Sequence, residues 1–257
     1  MNAPLPLQGL GVVITRPRAA AEALAAALAR AGARPFVFPA LAIEPLADSA
    51  ELDAALAGLP SCDLAIFVSA NAVEQGLAAV RRRAPWPGGV RMAAIGHATA
   101  AALRNSGFSE VISPEERGDS EALLALDELK AVEGRNILIF RGRGGRELLR
   151  EALEARGAHV TYAECYRRTR PAGDPVPLVA AWSRGEVHAV SALSAETLEN
   201  FVAMVGPEGE SHLASTTLVV PHEAVGARPL ARRFARVVTA PPDEGMVAAL
   251  AALRMSR

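Results

Sequence analysis

The chain contains itself twice. The stretch Val12–Phe38, VVITRPRAAAEALAAALARAGARPFVF, returns at a constant offset of 125 residues as Ile137–Ala163, ILIFRGRGGRELLREALEARGAHVTYA. Identities at that spacing include Ile14 with Ile139, Arg16 with Arg141, Arg18 with Arg143, Glu22 with Glu147, Leu24 with Leu149 and Gly32 with Gly157. The same offset carries Ser69-Ala70 onto Ser194-Ala195, Glu74 onto Glu199, and Ile95-Gly96-His97 onto Val220-Pro221-His222. Alanine matches mean little in so alanine-rich a chain, but Arg, Glu and Gly matches in three separated blocks point to tandem duplication.

Each copy alternates apolar strands with amphipathic helices. The predicted strands are Val12–Thr15, Arg34–Phe38, Asp63–Val68, Val90–Ile95, Glu110–Ile112, Asn136–Phe140, His159–Ala163, Val187–Ala192, Thr216–Val220 and Arg236–Thr239. Helical stretches separate nearly all of them, which predicts an α/β fold of parallel sheets with helices on both faces. Gly32 and Gly157 stand where a helix C-cap belongs. With 51% hydrophobic residues and only 4% aromatic, the core is built from Ala, Leu and Val, which suits helices on parallel strands better than a β-sandwich. The extended segments Phe38–Leu46 and Glu164–Pro171 occupy equivalent places in the two copies. Two partitions are open: a cut near residue 130, or an exchange in which these segments carry the chain between two lobes of mixed origin.

Several function classes are excluded. A formal net charge of -1 argues against a nucleic-acid binder. Cys62 and Cys165 stand alone without CxxC or HxxxH neighbours, so two reduced thiols are expected and no metal site. The N-terminal MNAPLPLQGLG lacks the basic start and apolar stretch of a secretory signal. No apolar run approaches the roughly 18 residues that span a bilayer. No membrane contact and a cytoplasmic location are expected. The loop Arg141-Gly142-Arg143-Gly144-Gly145-Arg146 has neither the Lys-Ser/Thr of a P-loop nor GxGxxG spacing, so no nucleotide cofactor, and no cofactor of any kind, is expected.

Candidate site residues fall at strand ends, where open parallel sheets bind ligands. Arg16-Pro17-Arg18 and Arg141-Gly142-Arg143 close the first strand of each copy, ahead of a helix whose free N–H groups favour anions. One such pair reads as solvated loop; two in equivalent positions point to ligand binding, with Arg146 alongside. Ser69 or Asn71 is expected to cap the helix after Phe67-Val68 and to aim polar groups at the strand end; Ser194 is the repeat partner of Ser69. Gly96 and Thr99 lie in another strand-to-helix turn, where Thr99 caps a helix or meets ligand. There is no GxSxG elbow, so a hydrolase serine is not expected. Tyr166, one of only two tyrosines, is flanked by Arg167-Arg168.

These blocks, taken in order, resemble the uroporphyrinogen-III synthases: Ile14-Thr15-Arg16-Pro17, FVSANAV at 67–73, AIGHATAAAL at 94–103, RGRGGRELL at 141–149 and GAHVTYAECYRR at 157–168. The resemblance covers nearly the whole chain. It implies two flavodoxin-like lobes with parallel five-stranded sheets: residues 1–38 with 172–257 in one, 47–163 in the other, and 39–46 with 164–171 as a two-stranded connector beside an inter-lobe cleft. It also implies the substrate hydroxymethylbilane, a linear tetrapyrrole with eight carboxylates. Loss of its hydroxyl gives an azafulvene; ring D attacks through its substituted carbon, and a spiro intermediate rearranges with ring D inverted. The paired arginines and backbone N–H groups then hold acetate and propionate arms, and Tyr166 matches the position proposed to help expel the hydroxyl as a general acid. Two departures stand out. The C-terminal turn reads Pro221-His222-Glu223-Ala224, without the family's Thr, and Ala192-Leu193-Ser194-Ala195-Glu196 keeps the Ser of the first copy but loses its Asn.

The main rival is a non-enzymatic two-lobed module that closes on a small anion, since fold alone does not set function. A second is an enzyme acting on another polycarboxylate or on a nucleotide, the latter disfavoured by the absent P-loop and dinucleotide motifs. The expected partner is the small-molecule substrate. The chain is expected to act as a monomer, at most in transient contact with the preceding pathway enzyme.

Overall fold

A computed structural model describes residues 5–46, 49–115 and 117–255 of the chain. Among them the strands are β1 (Gly11–Ile14), β2 (Arg34–Val37), β3 (Ala42–Pro45), β4 (Leu64–Phe67), β5 (Arg91–Ala94), β6 (Val111–Ile112), β7 (Asn136–Gly142), β8 (His159–Thr169), β9 (Ala189–Ser191), β10 (Thr217–Val220) and β11 (Arg236–Thr239). The helices are α1 (Arg18–Arg30), α2 (Ala50–Ala57), α3 (Ala70–Arg81), α4 (His97–Asn105), α5 (Ser120–Ala125), α6 (Asp127–Lys130), α7 (Leu148–Ala155), α8 (Val176–Ser183), α9 (Ala195–Glu210), α10 (Glu223–Gly226) and α11 (Glu244–Met255). The expected alternation of strands and helices is what the chain adopts.

Two compact units result. Unit 1 takes the chain up to Ala42 and from Thr169 onward; unit 2 is Ile43–Arg168. The sheet of unit 1 runs β11-β10-β9-β1-β2, and that of unit 2 runs β3-β8-β7-β4-β5-β6. Every pairing from β11 to β2, and every pairing from β8 to β6, is parallel. Apart from β3, each unit thus takes the first two strands of one copy and the last three of the other.

The second sheet differs from the expected five strands. β8 runs unbroken through Glu164 to Thr169, and β3 lies along its outer side, where Leu46 N–H donates to the Cys165 carbonyl at 3.0 Å. An uncovered β8 edge would present unpaired backbone groups. The segments expected as a separate connector are therefore partly strands of this sheet.

The apolar runs become strands buried on both faces, as parallel strands require. In unit 2, Ala65, Phe67, Leu138 and Phe140 face α3 and α4, while Leu64, Ile66, Ile137 and Ile139 face α5 and α7. Unit 1 does the same: Val13 and Val190 pack toward α8 and α9, and Val12 and Ile14 toward α1 and α11. α1 and α7 end at Gly32 and Gly157, with φ of +91° and +83°, a left-handed turn that admits glycine without strain.

Candidate active site

In each sheet the strand order reverses at one pair of neighbouring strands, and the helices that follow those two strands lie on opposite faces. In unit 2 the pair is β4 and β7, followed by α3 and α7; in unit 1 it is β1 and β9, followed by α1 and α9. Such a reversal leaves a crevice beyond the carboxyl ends of the two strands. Ser69, Asn71, Arg141, Gly142 and Arg143 of unit 2 follow or end the two strands of its reversal, whereas Gly96 and Thr99 follow β5, one strand away.

Tyr166 reaches that point through a break in register. Along β7 and β8 the partners run regularly to Arg141 opposite Glu164, and then Gly142 stands opposite Tyr166. Cys165 is the extra residue, a β-bulge. Strict alternation from Ala163 and Cys165, which face α3, would turn Tyr166 to the α7 side. The bulge returns it to the α3 side, where Cys165 and Tyr166 join the same core cluster. Tyr166 is 2% exposed. Its hydroxyl lies 3.1 Å from Ser69 Oγ.

Ser69, not Asn71, caps α3: its Oγ accepts from the Ala72 N–H at 3.0 Å. The Ser69 proton therefore remains able to donate to the phenol oxygen, which leaves the phenol proton for another acceptor. Asn71 is the second residue of α3 and half-buried. Gly96 is the N-cap of α4, and a Cβ there would lie 2.4 Å from the Gly118 Cα, so close packing explains this glycine. Thr99 caps nothing: α4 starts at His97, and Thr99, its third residue, is 4% exposed.

The second copy does not place a helix directly after its arginines. α1 begins at Arg18, but the repeat-equivalent Arg143 lies in a loop and α7 starts only at Leu148. Gly144 and Gly145, at φ +76° and +112°, hold that loop out of helical geometry. Arg141, 5% exposed, braces the loop from within. Its Nε donates to the Gly142 carbonyl at 3.2 Å, one Nη to Glu147 Oε1 at 3.0 Å and the other to the Gly144 carbonyl. Its donors being so engaged, Arg141 does not present the free guanidinium that its strand-end position led one to expect. Arg143 is exposed beside Glu164, and Arg146 is exposed with Glu121 at 3.7 Å.

Sequence reasoning passed over the residues around this brace. Tyr162 donates its hydroxyl to Glu147 Oε2 at 2.7 Å, and the guanidinium groups of Arg141 and Arg150 both lie over its ring. Burial, then the bond to Glu147, pushes the Tyr162 phenol up to about 12. The same bond, with Arg141, holds the Glu147 carboxyl below its ordinary range. The one available signal was that Glu147 matches Glu22 across the repeat.

Unit 1 repeats the theme. Arg16, 8% exposed, donates to Asp243 at 2.6 Å, and its Nε and other Nη are buried without a partner among the described residues. Asp243 lies 227 residues away, so nothing local announces it. Arg18 is exposed at the start of α1, and Ser194 caps α9 by accepting from Thr197 N–H at 3.1 Å. His222 is exposed at the start of α10 and makes no cap with its side chain. Among the described residues, no group of three or more His, Cys, Asp or Glu is placed to hold a metal ion, and no helix is long and apolar enough to cross a membrane.

Fold and site together define a class: a doubly wound parallel α/β protein whose strand ends carry a phenol–hydroxyl pair, helix N-termini and exposed arginines. Comparison with known proteins narrows it. The family model described as Uroporphyrinogen-III synthase HemD matches residues 22–248. The uroporphyrinogen-III synthase of Escherichia coli K12 is 34% identical over 76% of this chain and 80% of its own length. That of Salmonella typhimurium is 37% identical over 74% and 78%. A crystallised mutant of the Thermus thermophilus enzyme superimposes with a TM-score of 0.62 over 96% of this chain and 98% of its own, at 22% identity, a likeness of fold. The chain belongs to the uroporphyrinogen-III synthase family.

Proposed function

We propose that the chain closes hydroxymethylbilane to uroporphyrinogen III with loss of water, which makes it a carbon–oxygen lyase. Family membership over most of the chain carries this reading. Its two units are read as flavodoxin-like lobes because both sheets follow one doubly wound order, with β3 and β8 leading the chain across.

Within this reading the substrate brings most of the reactivity, and the protein contributes position and a proton. Tyr166 gives its phenolic proton to the departing hydroxyl, which leaves as water while the pyrrole nitrogen supplies the electron pair that forms the azafulvene. Ser69, with its own proton free to turn toward the phenol oxygen, supports the phenolate that results. After ring D attacks and rearranges, the proton lost on regaining the pyrrole returns to Tyr166. The carboxylate arms are assigned to groups that remain accessible: Arg18 and Ser194 in unit 1, and Asn71, Arg143 and Arg146 in unit 2, with the first-turn N–H groups of α3. Arg16 and Arg141 shape the strand ends that present them. Action as a monomer is part of the proposal, and so is a reducing cytoplasm, with which the free thiols of Cys62 and Cys165 agree.

The test is chemical. Purified protein is given fresh hydroxymethylbilane and the oxidised product isomers are separated. Type III product in excess over a buffer control is expected. Type I alone contradicts the reading and leaves the anion-binding module. Arg18→Ala and Arg143→Ala are expected to raise KM several-fold with little change in kcat; unchanged kinetics in both would make them ordinary surface residues.

A further inference from the structure

We infer that Gly142 and Ser69 are positioning residues for Tyr166: the bulged β8 lays the phenol across the Gly142 backbone, and Ser69 holds its hydroxyl. This rests on the reading of Tyr166 as the proton donor and says how that donor is aimed.

Three fixings converge on Tyr166, one on its backbone and two on its side chain. The Tyr166 carbonyl accepts from the Arg143 N–H at 2.7 Å, which holds the backbone just beyond the bulge. The hydroxyl meets Ser69 Oγ at 3.1 Å, and Ser69 is itself held by its cap on α3. The ring lies against Gly142 so closely that a Cβ there would stand 2.6 Å from Cε2, 2.7 Å from Cζ and 3.1 Å from the hydroxyl oxygen. No side chain fits in that gap. Gly142 is not among the residues with positive φ, so an alanine suits its backbone, and what the glycine supplies is room. A methyl group at 142 must push the phenol tip away from Ser69.

The repeat provides an internal control. At the offset of 125, Gly142 falls on Pro17 and Tyr166 on Leu41. The first copy has neither the phenol nor the glycine that makes room for it. Ser69 falls on Ser194, whose Oγ meets Thr197 Oγ1 at 2.9 Å instead of a phenol. The serine cap is common to both copies; glycine and tyrosine occur together in one.

The experiment is a double-mutant cycle on kcat at saturating substrate, with Gly142→Ala, Ser69→Ala and Tyr166→Phe singly and in pairs. Gly142→Ala is expected to lower kcat about 10- to 100-fold, the scale for a misplaced reacting group, with KM little changed. In the Tyr166→Phe background it should cost no more than about two-fold, because the hydroxyl it misplaces is already gone. Ser69→Ala should show the same dependence on Tyr166, with Ser69→Thr restoring the rate, and it decides the matter should Gly142→Ala not fold. Equal losses in both backgrounds, or none in either, overturn the positioning role while leaving Tyr166 as the donor. A Tyr166→Phe enzyme as fast as the parent overturns the donor assignment, and the positioning role with it.

Discussion

Tyr162 shows how one phenol ties a loop to a sheet. Its ring is 4.3 Å from the Arg141 guanidinium and 3.8 Å from that of Arg150, and its hydroxyl donates to Glu147. The carboxyl is depressed from 4.5, so its share of stability is present above that pH and is lost as pH falls through the lowered value. The phenol is raised from 10.0 to about 12, so its share is present below 10 and is lost as pH climbs toward 12. The difference in Tm between parent and Tyr162→Phe is therefore expected to be largest between about pH 5 and pH 10 and to shrink on both sides; a difference independent of pH would refute this. Cys165 gives a second test at this scale. Burial pushes its thiol up to about 12, whereas Cys62 is half-exposed. A thiol reagent at pH 8 should modify Cys62 alone in the native protein and reach Cys165 only on unfolding, because the thiolate is the reactive form.

Among the elements, the strands were the most legible. Runs such as Leu64–Phe67 and Ile137–Phe140 are apolar throughout because both faces are covered, and no polar alternation obscures them. The glycine caps were equally plain. Gly157→Ala should cost about 1 kcal/mol for its left-handed backbone. Gly32→Ala should cost more, since its Cβ would also stand 2.7 Å from the Leu5 Cβ, whereas the neighbour of Gly157 is the movable Glu133 side chain; chemical denaturation of both variants checks the order. What stayed hidden was irregular. The bulge at Cys165 reverses the face of Tyr166, and no residue type signals it. The late start of α7 was obscured by the repeat itself, which aligns Arg143 with the helix-starting Arg18 although Gly144 and Gly145 intervene. Arg141 and Arg16 read as free cations because their partners, Glu147 and Asp243, are set by the fold and not by spacing.

For the molecule as a whole, duplication placed both copies in sequence, but neither copy is a unit by itself. Each sheet borrows strands from both, and periodicity leaves that exchange open. Unit 2 nevertheless comes from one continuous stretch, Ile43–Arg168, with an apolar cluster on each face of its sheet. Expressed alone it should melt cooperatively, as a domain with its own core does; an unfolded or aggregated product would mean that its cores are incomplete. The central claim is that the carboxyl ends of β4 and β7 form the substrate site, with Tyr166 seated between Ser69 and Gly142. Backbone hydrogen exchange with and without saturating uroporphyrinogen III, kept reduced, tests this most directly. The account predicts slowed exchange in residues 69–72 and 142–146. Protection that leaves both segments unchanged while product is bound would contradict it.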